Sequence, residues 1–390
     1  MKQVKPALVT TVIAVYNRPQ LIVAAVTSVL AQSYRPIEVI VVDDGSTDGT
    51  GAVCDSLAAA HPAIVQVLHR PNGGLGRALN AGLGIARGEF IQFLDSDDLI
   101  MPEKFAMQVA ALRDHPECGL SYCYVREYVL GEPWSGRPAR RSGETFERLF
   151  PALVWGKIWP APAPLYRRAV VDANGPFLEV SVQLDWEYEC RMGSRGVRLH
   201  HCRAFLADLR GTHRAEGRSK GGSTGQQLRD YAVVIERVFR HAQAAGVSPA
   251  DADILARLLF AASRKCAAAG YEAEARRCLK LAECAARPWR RRRIAGYGAL
   301  SALAGWSPVG RLFEIGDRSR TMTAMRAVRR QPRAIFDLWR HRAREAALTV
   351  SGHPLGRWPG LLWHRWQHRR SLTLGGHSGA ARMPAGRGGS

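Results

Sequence analysis

The sequence has no pair of cysteines at the CxxC spacing, although eight cysteines are scattered through its 390 residues. Close cysteine pairs are typical of zinc sites and redox centres, and an even set of cysteines is typical of small secreted domains held by disulfides. Isolated cysteines instead fit small buried thiols in a reducing compartment. We therefore predict a cytoplasmic protein with neither a disulfide framework nor a zinc–thiolate site.

The sequence also lacks a long apolar run. Residues 294–310 carry no charge, but they are rich in Gly and Ser and include Pro308, so they make a poor membrane-spanning segment. Residues 7–16 are mostly apolar, yet this run is short and leads directly into the Asn-Arg-Pro of residues 17–19 without a small-residue cleavage site. We therefore do not expect a signal peptide or a transmembrane helix.

Positive charge is distributed unevenly. The net charge is +21, and from Arg287 onward the chain has 21 arginines, no lysine and four acidic residues, a net +17. The first 286 residues therefore carry only +4. The same basic tail contains six tryptophans, namely Trp289, Trp306, Trp339, Trp358, Trp363 and Trp366.

Arginine and tryptophan in combination favour peripheral docking on an anionic membrane, here the inner face of the cytoplasmic membrane. We predict that residues 287–390 form a basic helical tail, partly disordered at its end, that tethers the protein. A solvated helical tail without a partner is the alternative. Nucleic acid is not an expected partner, because no recognised binding module is present.

The front of the chain alternates strand and helix patterns. Predicted strands cover residues 8–15, 37–42, 64–68 and 90–94, and predicted helices cover residues 21–32, a segment ending near Leu57, and residues 77–87. This alternation predicts a mostly parallel sheet, which binds ligands at the carboxyl ends of its strands. Two acidic clusters follow such strand ends, Asp43 and Asp44 after the second strand and residues 95–98 after the fourth.

Asp95, Asp97 and Asp98 place three carboxylates within four positions, where they repel one another unless a cation lies among them. Oxygen ligands suit Mg²⁺ or Mn²⁺, which commonly also hold substrate phosphates. A solvated turn in which Asp97 or Asp98 caps a helix near Pro102 is the alternative. Asp43 could likewise be only a turn residue.

Four segments in order resemble the family 2 glycosyltransferases: residues 12–18 (VIAVYNR), 41–48 (VVDDGSTD), Asn72 with 80–82 (NAG), and 93–98 (FLDSDD). The match in order and spacing extends over about residues 7–220. The resemblance implies an α/β domain of the GT-A fold that binds a nucleotide-diphosphate sugar and inverts the sugar during transfer. A Rossmann oxidoreductase is not expected, because Gly73–Gly76 lacks the dinucleotide spacing and follows a weak strand.

The resemblance assigns roles to single residues. Tyr16 and Arg18 lie in the loop that contacts the nucleotide, and Asp44 matches the acid that binds the base. Residues 95–97 match the DxD metal motif. The expected donor-binding residues are Tyr16, Arg18, Asp43, Asp44, Asn72, Asp95, Asp97 and Asp98, and the expected ligands of Mg²⁺ or Mn²⁺ are Asp97, Asp98 and His213.

The acceptor side needs a general base, which takes a proton from the attacking hydroxyl. Residues 183–191 (QLDWEYECR) resemble the family segment that supplies it, and Asp185 aligns with the base. Leu184 stands where an acid is usual, so Glu187 remains an alternative. Asp185 could also be only an acidic residue at a helix start, with Trp186 in the core.

Several other predictions concern the second half of the domain. His213 resembles the His of the family's R-x-x-H segment, although a lone His is often an ordinary surface residue. Trp155 and Trp159 could stack on a sugar or pack in the core. A helix is predicted to begin within residues 142–153, and residues 216–225 are predicted to be a mobile loop.

These patterns divide the chain into a GT-A domain (residues 1–225), a helical region (226–286) and the basic tail. The predicted function is metal-dependent transfer of a single sugar to a hydroxyl of a glycan or lipid-linked acceptor, in cell-surface glycan synthesis. The alternative is a non-catalytic GT-A-like binding protein tethered by its tail. A processive synthase is not expected, because the sequence lacks the QxxRW motif and adjoining membrane spans.

Overall fold

The structure, a computed structural model, describes residues 4–128, 136–210 and 225–314. His213, the predicted loop up to residue 224 and the tail from residue 315 lie outside this part of the chain. The described strands are β1 Lys5–Val15, β2 Ile37–Asp43, β3 Val65–His69, β4 Gly88–Phe93, β5 Leu99–Ile100, β6 Cys118–Tyr128, β7 Leu165–Arg167 and β8 Arg198–Arg210. The helices are α1 Pro19–Leu30, α2 Thr50–Ala60, α3 Leu75–Ile85, α4 Lys104–Asp114, α5 Arg168–Asn174, α6 Leu184–Ser194, α7 Gly225–Ala244, α8 Pro249–Ala268, α9 Glu272–Ala285 and α10 Pro288–Ala304.

The eight strands form one sheet in the order β3-β2-β1-β4-β7-β6-β8-β5. All pairs among β1 to β4 are parallel, as is β6 with β8, whereas β7 and β5 pair antiparallel with their neighbours. The predicted α/β architecture with a mostly parallel sheet and a helical C-terminal region is therefore confirmed. The predicted strands and helices of residues 8–94 all form, with ends shifted by a few residues.

The register of the parallel strands brings the predicted clusters together. All seven residues of β2 are buried, as expected for β-branched strands covered by helices on both faces. Val15 at the end of β1 pairs with Asp43 at the end of β2, and Val12 pairs with Phe93 at the end of β4. The carboxyl ends of three adjacent strands thus lie at one edge, and residues 43–44 and 95–98 follow two of them.

The prediction that a helix begins within residues 142–153 is wrong. This stretch consists of turns followed by a short 3-10 helix, Ala152–Trp155. Some backbone groups of this stretch form hydrogen bonds with β6 instead of within a helix. For example, the Tyr122 hydroxyl donates to the Glu144 carbonyl at 2.8 Å. Pro151 also removes one backbone donor that a helix would need.

The predicted helical region contains α7, α8 and α9, and a further helix, α10, packs on α8 and α9. α10 buries Ile294 and Tyr297, and Arg290 forms an ion pair with Asp253 at 2.8 Å. The compact unit extends to Glu314, so the predicted break after residue 286 falls inside it. A cut there would remove buried apolar side chains worth about 1.5–3 kcal/mol each. None of the described helices is both long enough and apolar enough to cross a bilayer.

Candidate active site

A cavity of about 470 Å³ opens at the carboxyl edge of the sheet. Its lining includes the loop after β1, the acid after β2 and the acids after β4. The predicted site residues on its wall are Tyr16, Arg18, Asp44, Asp95 and Asp97. The fold therefore brings together in one cavity residues that are up to about 80 positions apart in the sequence.

The acidic cluster of Asp95, Asp97 and Asp98 is compact and largely buried. One carboxylate oxygen from each residue lies within 4.8 Å of the others, and the exposed fractions of Asp97 and Asp98 are 1% and 0%. Burial, with the nearby charges of Asp95 and Asp97, raises the pKa of Asp98 well above its usual range. Arg18 partly offsets the negative charge through an ion pair with Asp97 at 3.0 Å.

The donor atoms of this cluster fit a hard divalent cation. The Arg210 backbone N–H donates to Asp98 Oδ1 at 3.2 Å, whereas the buried Asp98 Oδ2 has no hydrogen-bond partner among the described residues. Such an oxygen needs either a proton or a cation, and the neighbouring carboxylates favour a cation. The alternative of a helix cap is wrong for Asp97 and Asp98, because α4 begins only at Lys104 and receives no side-chain cap.

Asp44 and Asp43 have different surroundings. Asp44 lines the cavity and accepts the backbone N–H groups of Gly73 at 3.1 Å and Gly74 at 2.7 Å. Asp43 is not on the cavity wall. It accepts the Ser46 N–H at 3.1 Å and contacts His69 Nδ1 at 3.0 Å, and although burial opposes it, these hydrogen bonds lower the pKa of Asp43.

Asn72 is also absent from the cavity wall, and it packs against the turn after β2. Gly45 has φ = +76°, and a Cβ there would approach the Asn72 backbone nitrogen to 2.6 Å. Only glycine therefore allows the loop of residues 70–74 to approach this closely. Asp43 and Asn72 thus support the loops at the edge of the cavity without lining it themselves.

The loop after β1 is held by residues that the sequence patterns did not single out. Asn17 has φ = +51°, and its side chain accepts the Thr47 N–H at 2.8 Å. Thr50 accepts the Arg18 N–H at 2.9 Å. These contacts fix Arg18 toward Asp97 and leave Tyr16 with 47% of its surface exposed at the cavity. Asn17 could have been noticed, because Asn is enriched at positive φ.

The two candidate bases, Asp185 and Glu187, both lie on α6 but have different surroundings. Glu187 is completely buried, and its carboxylate pairs with Arg191 at 2.8 Å and His241 at 3.0 Å. Despite burial, these two partners lower the pKa of Glu187. Asp185 is 39% exposed, accepts the Trp186 N–H at 3.0 Å and contacts the Lys157 ammonium. Of the two carboxylates, only that of Asp185 is exposed to solvent.

Aromatic packing ties α6 to the strand that precedes the acidic cluster. Phe93, the last residue of β4, packs edge-on against Tyr188 of α6 with ring centroids 6.1 Å apart. Phe177 stacks on the same Tyr188 ring at 3.8 Å. The helix that carries Asp185 is therefore anchored to the strand end that carries Asp95.

The two tryptophans near this helix have opposite environments. Trp159 is 1% exposed and stacks on Tyr122 with centroids 4.5 Å apart, so it packs in the core. Trp155 is 66% exposed and precedes Lys157 by two residues. Trp155 alone of this pair remains able to stack on a sugar.

Comparison with known proteins places these observations in a family context. Residues 10–172 match the family model described as glycosyl transferase family 2. Glycosyltransferase GlyG of Streptococcus pneumoniae is 43% identical over 94 residues, which are 24% of this chain and 31% of that protein. The putative glycosyltransferase EpsH of Bacillus subtilis is 31% identical over 43% of this chain and 48% of its own length. The chain thus matches less than half of the length of either relative.

A solved structure resembles nearly the whole described unit. The structure of S. aureus TarS residues 1–349 in complex with UDP-GlcNAc superposes with a TM-score of 0.57 and 20% sequence identity. The match covers 81% of this chain and 92% of that one. At this level of identity the likeness shows the shared fold.

Proposed function

Because residues 10–172 are a glycosyl transferase family 2 domain, we propose that this chain transfers a single sugar from a nucleotide-diphosphate-sugar donor to an acceptor hydroxyl, with inversion. The observation that carries the proposal is the buried cluster of Asp95, Asp97 and Asp98 at the mouth of a cavity formed by strand ends. Carboxylates in such a position favour a metal-dependent enzyme over a binding protein that has kept only the fold.

On the donor side, the proposed contacts of the nucleoside are Tyr16 and Asp44, which line the cavity, and Arg18 lies beside the acidic cluster. Asp43 and Asn72 act indirectly in this proposal, by holding the edge of the cavity. Asp97 and Asp98, with Asp95, would hold Mg²⁺ or Mn²⁺, and the resemblance adds His213. When bound, the cation neutralises charge that develops on the departing diphosphate.

On the acceptor side, Asp185 is the proposed general base. Its carboxylate takes the proton of the acceptor hydroxyl as that oxygen forms a bond to the anomeric carbon. The bond between this carbon and the diphosphate oxygen breaks, and the diphosphate leaves with the electron pair on the opposite face of the sugar. Exposed Trp155 is a candidate platform for an acceptor sugar, free or lipid-linked.

A donor screen tests this function. Purified full-length chain would be incubated with UDP and GDP sugars, beginning with UDP-GlcNAc, in Mg²⁺ or Mn²⁺ with pooled glycan acceptors. We expect at least one donor to release its nucleoside diphosphate and to give a product of inverted anomeric configuration by NMR. A chain that binds a donor but never releases the diphosphate would instead be the tethered binding protein, whereas a retained configuration would exclude the assignment of Asp185.

We also propose that the protein works at the inner face of the cytoplasmic membrane, in cell-surface glycan synthesis, and that α10 contributes to its attachment. The exposed surface of α10 carries Trp289, Arg292, Arg293, Leu300 and Leu303. Trp289 and Leu303 are 62% and 88% exposed, and no acidic residue occurs in the helix. Interfacial helices combine these features.

The positive charge of α10 favours a lipid surface as its partner over another part or a second copy of this chain. Residues 315–390 contain 15 arginines and three acidic residues, so their net charge has the same sign as that of α10. A second copy of α10 would present the same positive charge. An anionic membrane is therefore the complementary partner.

Charge reversal on α10 should weaken binding to anionic vesicles. Two basic side chains contribute about 2 kcal/mol near an anionic surface, so Arg292→Glu with Arg293→Glu should reduce partitioning of the full chain at least about 30-fold. Co-sedimentation with phosphatidylglycerol vesicles measures it. The matched control is Arg237→Glu with Arg240→Glu on exposed positions of α7. Equal losses for both pairs would mean that only net charge matters.

A further inference from the structure

Two further ionisable residues, Lys157 and Glu189, lie beside the proposed base Asp185. Asp185 and Glu189 are four positions apart on α6, so they share one face of the helix. The Lys157 ammonium contacts Asp185 Oδ2, and the Trp159 indole N–H donates to Glu189 Oε1 at 2.8 Å. Neither Lys157 nor Glu189 was assigned a role by the sequence patterns. We call Asp185, Lys157 and Glu189 the base cluster.

Glu189 occupies an unusual position for a carboxyl group. It is 6% exposed, and its buried Oε2 has no hydrogen-bond partner among the described residues. Burial, followed by the charge of Asp185, raises the pKa of Glu189 to about 8, although Lys157, the Trp159 hydrogen bond and Arg140 act in the opposite direction. Glu189 is therefore mostly protonated at neutral pH.

The other titratable groups facing Glu189 stay neutral. Burial raises the pKa of Tyr166 well above its usual range, with the charge of Glu189 as the next contribution. Burial likewise raises the pKa of Cys190 well above its usual range, and Glu189 again adds to the effect. Tyr166 and Cys190 therefore carry no charge near neutral pH.

Each carboxylate oxygen of Asp185 already has a hydrogen-bond partner, so one of these contacts must be released before Asp185 can accept a proton. The Trp186 N–H, part of the first turn of α6, occupies Oδ1, and Lys157 occupies Oδ2. The backbone N–H is held in place by the helix, whereas the Lys157 ammonium lies at the end of a flexible four-carbon side chain. Lys157 is therefore the contact that yields when Asp185 takes a proton. Its ammonium then needs another counter-ion.

We propose that Glu189 is this second counter-ion, a positioning residue that receives Lys157 when Asp185 is protonated. As the acceptor O–H proton moves to Asp185, the loss of negative charge there favours release of the Glu189 proton to water. Lys157 then pairs with the Glu189 carboxylate. The base cluster gains one proton and loses one, so its net charge is constant. The inference rests on the proposed role of Asp185.

Glu189→Gln tests the inference in the full chain, because the amide keeps an acceptor for Trp159 but cannot ionise. For the unmodified protein we expect kcat to rise as pH passes about 8, where Glu189 ionises and draws Lys157 away. In Glu189→Gln this rise should disappear, and kcat at pH 9 should be about tenfold lower, a typical coupling between contacting residues. The donor KM should not change. Glu272→Gln, on the surface of α9, is the matched control.

A double-mutant cycle separates positioning from general destabilisation. If Glu189 acts through Lys157, Glu189→Gln should have no further effect on kcat in a Lys157→Met background. Additive losses of kcat would contradict the inference. An active chain in which Glu189→Gln preserves kcat and its pH dependence would overturn it and leave sugar transfer standing.

One measurement does not depend on activity. The carboxyl signal of Glu189, identified by its absence in Glu189→Gln, can be titrated by ¹³C NMR in the unmodified protein and in Asp185→Asn. We expect the Glu189 titration to move to lower pH in Asp185→Asn, because a neighbouring negative charge is gone. An unchanged titration would overturn the inference even if no donor were found, whereas failure of the donor screen alone would bear only on the proposed function.

Discussion

Asp97→Asn should reduce sugar transfer by about 10³-fold or to background, since the departing diphosphate loses its charge partner. Asp97 is 1% exposed, pairs with Arg18 and belongs to the one cluster with metal-ligand geometry among the described residues. The amide is nearly the same size as the carboxylate, so the fold should survive. Initial rates with saturating donor in Mg²⁺ or Mn²⁺ measure the loss.

The same substitution should not lower thermal stability in the absence of metal. The pKa of Asp98 is raised in the folded protein, so the folded state holds a proton that the unfolded state releases, and the cluster costs stability as the pH rises above 3.8. Removing one charge relieves part of this cost, which offsets the loss of the Asp97–Arg18 ion pair. Mn²⁺ should raise the Tm of the unmodified protein and have little effect on Asp97→Asn.

The matched control is Asp172→Asn, since Asp172 is a 59% exposed side chain paired with Arg168. It should keep both transfer and the Tm response to Mn²⁺. Full activity of the unmodified chain in EDTA would contradict the metal assignment, as would an unchanged Mn²⁺ response in Asp97→Asn.

Asp185→Asn should lower kcat by about 10²–10⁴-fold, the usual contribution of a general base. Asn can still accept the Trp186 N–H through Oδ1, so the start of α6 should remain intact. It cannot take the acceptor proton. Steady-state kinetics should therefore show a loss in kcat, while calorimetry should show unchanged binding of the donor.

Glu187→Gln is the internal comparison for this prediction. Glu187 is buried between Arg191 and His241, so its neutralisation should lower the Tm, with a milder effect on kcat of the folded protein. If Asp185→Asn also abolished nucleotide binding, or if Glu187→Gln lost more kcat than Asp185→Asn, Asp185 would be a structural residue.

Much of the donor side could be predicted because its signals are local. The β-branched runs of β1 and β2 specify buried strands, and polar residues that follow a parallel strand must lie at its carboxyl edge. Asp44 and the acids of residues 95–98 could thus be placed at one edge before any contact was known. Gly45 and Asn17 adopt φ values of +76° and +51°, which Gly and Asn favour, so these two turns also had a local signal, although the sequence patterns did not single out Asn17.

The acceptor side and the helical region depended on contacts between distant residues. Asp185 and Glu187 are both acidic residues of the first turn of α6, yet Glu187 contacts His241, 54 positions away, and Asp185 contacts Lys157, 28 positions away. Trp155 and Trp159 differ only in which of them reaches Tyr122.

By itself, the sequence determined that β1 to β4 form, approximately where they end and which carboxylates collect at that edge, because these follow from local periodicity and from the geometry of parallel strands. Only the tertiary structure decided which acid on α6 is exposed, that Glu189 is buried beside the proposed base, and that α10 packs on α8 and α9 within one unit. The physical reason is that burial and ion pairing set the charge and availability of a side chain, and both depend on neighbours that the chain brings together only when it folds.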